Sequence, residues 1–165
     1  LYTLQSRRSL FAAKSLLGIA EVFLITGVEM TLFAVNGHLQ QYADVLPAGQ
    51  IAYYLLCTVS VNGMLFFFEF LLTILLKNPL PAVCVGIAGA LVGLFSAFMP
   101  KGFSLFVPWG YYIPLSSYYI KDWSRDTHTV IYGVQGYQWP LLIWVLVLMS
   151  ALFVVTWHVI QKKEV

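Results

Sequence analysis

The run WPLLIWVLVLMSALFVVTWHVI, residues 139–160, holds 22 residues and no charged side chain. As a helix it rises about 33 Å, enough to cross the roughly 30 Å hydrocarbon core of a bilayer. Trp139 and Trp157 stand at its two ends, where an aromatic belt meets the lipid–water interface. That reading makes the bilayer the solvent for the rest of the chain. Composition agrees: of 165 residues, 60% are hydrophobic, 16% aromatic and only 10% charged, with a mean hydropathy of +0.81. About a quarter of the residues of a soluble domain are charged.

Working outward, three further spans are predicted at about residues 16–35, 51–76 and 81–99. Asn78-Pro79 closes the second, and Pro81 starts the third where its missing N–H costs least. The fold class expected is therefore an all-α integral membrane protein, one transmembrane domain over residues 1–165 with four visible spans. Between the third and fourth spans lies a connection of 39 residues, 100–138. Its first part, FSLFVPWGYYIPL at 103–115, is apolar and aromatic but too short to span, and Pro108, Gly110 and Pro114 interrupt it. Irregular backbone is tolerated at membrane depth only where protein or a wet cavity covers it. A short re-entrant hairpin is one answer for this segment, and residues 116–138 read as an external loop. The chain opens on Leu1, and the expectation is that this is a C-terminal fragment.

Orientation follows from the basic residues. With the N-terminus in the cytoplasm, Arg7, Arg8, Lys14, Lys77, Lys162 and Lys163 lie inside, and Lys101, Lys121 and Arg125 lie outside. The positive-inside rule thus predicts both visible termini in the cytoplasm. No basic run or patch suggests nucleic acid as a partner. His38, His128 and His158 lie far apart, so no metal site is expected, and Cys57 and Cys84 read as small buried hydrophobes. P-loop, serine-hydrolase and H-E-x-x-H zinc motifs are absent, which predicts no catalytic residues on this chain.

Three carboxylates fall inside the spans: Glu21, Glu29 and Glu69. Each costs something like 2.5–3.5 kcal/mol at the bilayer centre on insertion scales, so none is expected to face lipid. Glu21 and Glu69 fall at similar depths, about 8 and 11 Å, on antiparallel neighbours. Two readings are open: that they face each other across a polar cavity where a proton could be shared, or that each hydrogen-bonds a neighbouring helix and fixes packing. Asn62 joins them as a pathway candidate or as interhelical glue. In the third span Gly86, Ala90 and Gly93 lie among small residues, with Gly89-x-x-x-Gly93 a literal GxxxG, and the expected role is close helix packing.

Three stretches carry a resemblance: SRRSLFAAKSLLG at 6–18, NPLPAVCVGIAGALVGLFSAFMPKG at 78–102 and SLFVPWGYYIPL at 104–115. With the order of the spans, they resemble the second half of an ABC type-2 exporter permease, most closely the lantibiotic immunity (self-protection) group. The resemblance implies six spans, of which two would precede Leu1. It implies a cytoplasmic segment that contacts the ATPase, with Arg7, Arg8 and Lys14 as candidate contacts; the alternative is that these charges anchor the helix at anionic headgroups. It also implies short re-entrant helices at 103–115, involving Pro108, Trp109, Gly110, Tyr111, Tyr112 and Pro114.

The expected function is then that of a permease in the bacterial cytoplasmic membrane, expelling a membrane-inserted antimicrobial peptide and so conferring resistance. Its partners would be two copies of an ATPase subunit, a second permease that is homologous or identical, membrane lipid and the peptide. No cofactor is expected on this chain, ATP and Mg being held by the partner. The alternatives are a type-2 permease for another lipid, ion or drug, and an immunity protein that sequesters the peptide without an ATPase. Residues 100–138 carry a formal charge of only +1, which gives a cationic peptide no electrostatic attraction. Recognition would then rest on Trp109, Tyr111, Tyr112, Tyr118, Tyr119 and Trp123, whose other reading is interfacial anchoring.

Overall fold

The computed structural model describes residues 6–39, 47–76, 78–99, 102–124 and 129–162. Of Arg7 and Trp123 it describes only the backbone, and Lys77, Lys101, Arg125, His128 and Lys163 lie outside the described residues. The chain is mostly helical, and four helices are long and apolar enough to cross a membrane. They are α1 (Arg7–Leu39), α2 (Ala48–Leu75), α3 (Leu80–Phe95) and, after the 39-residue connection, a helix at Trp139–Lys162. Within that connection lie the four-residue helix α4 (Tyr112–Leu115) and the strands β1 (Tyr118–Ser124) and β2 (Thr129–Val134), which makes the last helix α5.

α1 starts nine residues before the predicted span. Ser6 supplies the reason: its Oγ accepts a hydrogen bond from the Ser9 N–H at 3.2 Å, the geometry of an N-cap. Arg8 and Lys14 therefore sit exposed within the first turns of the helix rather than on a separate segment. Phe11, Ser15, Gly18, Val22 and Thr26 are buried, a single i, i+3/i+4 stripe. Phe11 opens that stripe by packing on Phe70 of α2 and on Phe153 and Trp157 of α5, with ring centroids 5.0–6.0 Å apart.

α2 is the central helix: 39% of its most apolar window is buried, against 17% in each of the other three. Its Tyr53, Cys57, Val61 and Met64 form the core with Leu142 and Val145 of α5 and with Tyr111 and Leu115 from the connection. Gly63 lets α5 approach, since a Cβ there would stand 2.9 Å from the Met149 sulfur. The Tyr53 hydroxyl accepts from the Gln138 N–H at 2.8 Å, and the Gln138 carbonyl accepts from Leu142 N–H, which fixes the entry into α5. The outward faces of the helices are strongly apolar, Leu16, Leu17, Phe23 and Leu24 on α1 and Leu94 and Phe95 on α3 among them. Lipid, not water, suits such surfaces.

Two expectations are corrected. The external loop contains an antiparallel hairpin, β1 on β2, with a register irregularity between Ile120 and Asp122. Tyr118, Tyr119, Ile120 and Thr129, Val130, Ile131, Tyr132 flank a polar stretch of sequence, and aromatic and β-branched residues favour a pleated strand. Of the cysteines, Cys57 is buried as expected, but Cys84 is exposed on the outer surface of α3.

Candidate functional site

The site is built around residues 103–115. After α3 a 3-10 turn, Ser96–Phe98, ends the helix, and Gly102 with φ of 98° allows the chain to reverse. Two further 3-10 turns follow, Phe103–Leu105 and Pro108–Gly110, and then α4. The chain thus runs back along α3 instead of away from it. Gly110 is held against Ser96, where a Cβ would stand 2.6 Å from the Ser96 Oγ, and that hydroxyl itself donates to the Gly93 carbonyl at 2.6 Å.

Trp109 reaches farthest. A Cβ on Gly93 would stand 2.7 Å from the carbonyl carbon and oxygen of Trp109, and one on Gly89 would overlap its indole ring. Gly89 lies nine residues, about 14 Å, before the end of the third candidate span at Phe98. The GxxxG face predicted to pack a helix is therefore occupied by one tryptophan and its own backbone. On the other side of the indole stands α2: Phe68 meets it edge to face at 5.4 Å and 87°. The Glu69 carboxyl lies within hydrogen-bonding reach of Trp109 and against Gly86, where a Cβ would stand 2.5 Å from Oε1.

Backbone polarity in the segment is met locally. Leu105, Phe106, Gly110, Tyr111, Leu115 and Ser116 donate to Gly102, Phe103, Val107, Pro108, Tyr111 and Tyr112 carbonyls respectively, at 2.8–3.3 Å. The Gln135 side-chain amide donates to the carbonyls of Pro114 (3.2 Å) and Ser116 (2.6 Å), closing the end that Pro114 leaves without a helical continuation. These bonds satisfy the requirement for non-helical backbone away from water.

A second polar group lies on the opposite side of the segment. Tyr54, Thr58 and Asn62 follow at i, i+4, i+8 on one face of α2. The Tyr54 hydroxyl donates to Glu29 Oε1 of α1 at 2.7 Å, and the Tyr112 hydroxyl donates to Asn62 Oδ1 at 2.5 Å. Burial, and then the negative charge of Glu29, raise the Tyr112 hydroxyl well above the usual tyrosine range. It stays a neutral donor at any physiological pH.

Glu21 and Glu69 are not brought together. Gly18 meets the Phe66 ring and Glu29 meets Tyr54, so in this antiparallel register Glu21 lies level with Asn62 and Gly63. That is about 10 Å along α2 from Glu69. Glu21 is exposed, one position off the buried stripe, and the shared proton has no geometric basis. From sequence Asn62 reads as a pathway candidate or interhelical glue and Tyr54 has no assigned role; the i, i+4, i+8 spacing of Tyr54, Thr58 and Asn62 is the signal that joins them. Among the described residues no three His, Cys, Asp or Glu side chains are grouped to hold a metal.

At the end carrying Arg8 and Lys14, a groove of about 580 Å³ opens between Leu75 and the α5 residues Val154, Val155, His158, Val159 and Lys162. No family model, curated protein or solved structure matches this chain.

Proposed function

We propose that this chain is the permease subunit of an ATP-binding-cassette exporter that expels a membrane-inserted antimicrobial peptide, in the cytoplasmic membrane of a bacterium with both visible termini inside. The observation that carries the reading is the segment Phe103 to Leu115 folded back along α3 between the third and fourth candidate spans, its Trp109 seated on Gly89 and Gly93. Such a segment dips into the outer half of the membrane and caps a pathway. Soluble loops have no reason to pack a tryptophan at mid-helix depth between two spans. The segment's tie to α2 through Phe68, Glu69 and Asn62 couples the cap to the central helix. A movement of α2 is then transmitted to the exit.

In this reading ATP and Mg are bound by two copies of a partner ATPase, which contact the cytoplasmic end near Arg7, Arg8 and Lys14. A second permease, homologous or identical, completes the pathway. The chain's own residues make and break no bonds; they bind, gate and release. The test is twofold. Affinity purification of the tagged chain from its host membrane is expected to bring down a P-loop ATPase, and cells lacking that ATPase are expected to lose peptide resistance. Resistance that survives loss of the ATPase would replace the exporter with a membrane sink that sequesters the peptide.

A further inference from the structure

Glu29 poses a problem that Glu69 does not. It lies inside the first candidate span, it is exposed, and its one partner among the described residues is the Tyr54 hydroxyl. An ionised carboxylate on a bilayer-facing surface is costly unless a cation meets it. No lysine or arginine of the described residues does so.

Around this carboxylate stand mainly oxygen acceptors, with the Thr58 hydroxyl as a donor beside the Tyr54 oxygen. Oε1 accepts from Tyr54, which leaves Oε2 of Glu29 and the Tyr54 lone pair that Thr58 does not face. Tyr112 spends its hydroxyl proton on Asn62, two helical turns along the same α2 face from Tyr54, and keeps its own oxygen lone pairs, on which the Glu29 charge acts. Tyr54 and Tyr112 are 43% and 37% exposed, so the group is open at the surface beside α2. Neither phenol is free to turn its proton outward without breaking a short hydrogen bond.

We infer that Glu29, Tyr54 and Tyr112 form a binding site for a primary ammonium group carried on a hydrocarbon that lies in the bilayer. A primary ammonium offers three N–H donors and no acceptor, which complements oxygen lone pairs beside a carboxylate. Exposed tyrosine rings add attraction for the cation. The apolar flank of α1, with Leu32 and Phe33 exposed next to Glu29, suits the attached chain. Two sources share this chemistry: the headgroup of an amine-bearing lipid and the lysine side chain of an inserted peptide. The site does not depend on the exporter reading, because a sequestering protein would use it equally.

The test uses the full chain in dodecyl maltoside, a neutral detergent, titrated with dodecylammonium by calorimetry. Saturable binding is expected, weakened about tenfold by Glu29→Gln, which keeps an acceptor for Tyr54 and hence the fold. Tyr112→Leu, outside the four candidate spans, is expected to weaken it about threefold. Glu21→Gln is the control and is expected to change nothing. Dodecyltrimethylammonium, which has no N–H, is expected to bind about tenfold more weakly than dodecylammonium.

Equal affinity for the two probes, or an equal loss in Glu21→Gln and Glu29→Gln, would reduce the effect to unspecific charge attraction and overturn the site. Competition by short-chain phosphatidylethanolamine would assign the site to lipid headgroups. Competition by a lysine-bearing hydrophobic peptide alone would assign it to peptide, and either result supports the ammonium site. Loss of dodecylammonium binding leaves the ATPase co-purification unaffected, so the two proposals fail separately.

Discussion

At Glu69 the chain closes around a carboxyl: Gly86 removes a side chain to admit it, and the Trp109 indole covers it beside Phe68. At Glu29, on the neighbouring helix, a single tyrosine hydroxyl touches the carboxylate and the remaining surface stays open. One short segment reaches the α2 side of both, since Trp109 lies at Glu69 and Tyr112 bonds Asn62 on the α2 face that carries Tyr54. The difference is between a polar group used to seat a cap and a polar group left to be met by something else. Insertion into a bilayer penalises both residues alike, so the surroundings, and not the residue type, separate structure from recognition.

The comparison breaks most easily at the glycines. Gly93→Leu would drive a side chain into the backbone of Trp109, which cannot step aside as a side chain does, and is expected to cost about 3 kcal/mol. Gly89→Leu meets the indole ring first, so its cost is expected to fall by about 1 kcal/mol or more in a Trp109→Ala background, while that of Gly93→Leu persists. Unfolding in detergent, read as a double-mutant cycle, checks both. Strict additivity at position 89 would mean that Trp109 does not occupy the GxxxG face.

Next in size are the carboxylates themselves. Glu69→Leu removes the carboxyl that stands within hydrogen-bonding reach of Trp109 and against Gly86, and is expected to destabilise by about 1–2 kcal/mol. Glu29→Leu removes a carboxylate from a bilayer-facing surface and strands only the half-exposed Tyr54 hydroxyl, so the expected cost is under about 0.5 kcal/mol. Thermal unfolding of the two variants side by side sharpens the contrast; equal losses would make Glu29 a packing residue like Glu69.

How much of this was legible depends on what each signal constrains. The spans were legible because a bilayer demands about 20 apolar residues, and few other structures do. Only their ends moved, where Ser6 and Ser9 cap α1 beyond its apolar stretch. The hairpin β1–β2 was missed because Tyr118 to Val134 is a mixed, polar stretch whose alternation is short. The segment at 103–115 was legible as a non-spanning element, since Pro108, Gly110 and Pro114 forbid one continuous helix. Its destination was not. Gly89-x-x-x-Gly93 states that something comes close, and a helix and a tryptophan satisfy that statement equally. Glu21 and Glu69 failed for a related reason: depth from the helix ends aligns residues only when both ends are known, and α1 proved longer than its apolar core.

The smallest expected effect tests the same ambiguity. Gly27 sits in the middle of α1 just as Gly89 sits in α3, but only Gly89 belongs to a GxxxG. Around Gly27 a Cβ would meet nothing within 4 Å, whereas around Gly89 it would overlap the indole. Gly27→Ala therefore adds a methyl to open surface and removes backbone freedom from the unfolded chain, which in water stabilises a helix by up to about 1 kcal/mol. The Gly27 carbonyl also accepts the Thr31 hydroxyl at 2.8 Å, a bond that alanine leaves in place. A gain of a few tenths of a kcal/mol in detergent is expected, the opposite sign to any substitution at Gly89. A loss instead would show that α1 is covered over Gly27 by a partner, on the side of the helix away from Glu29.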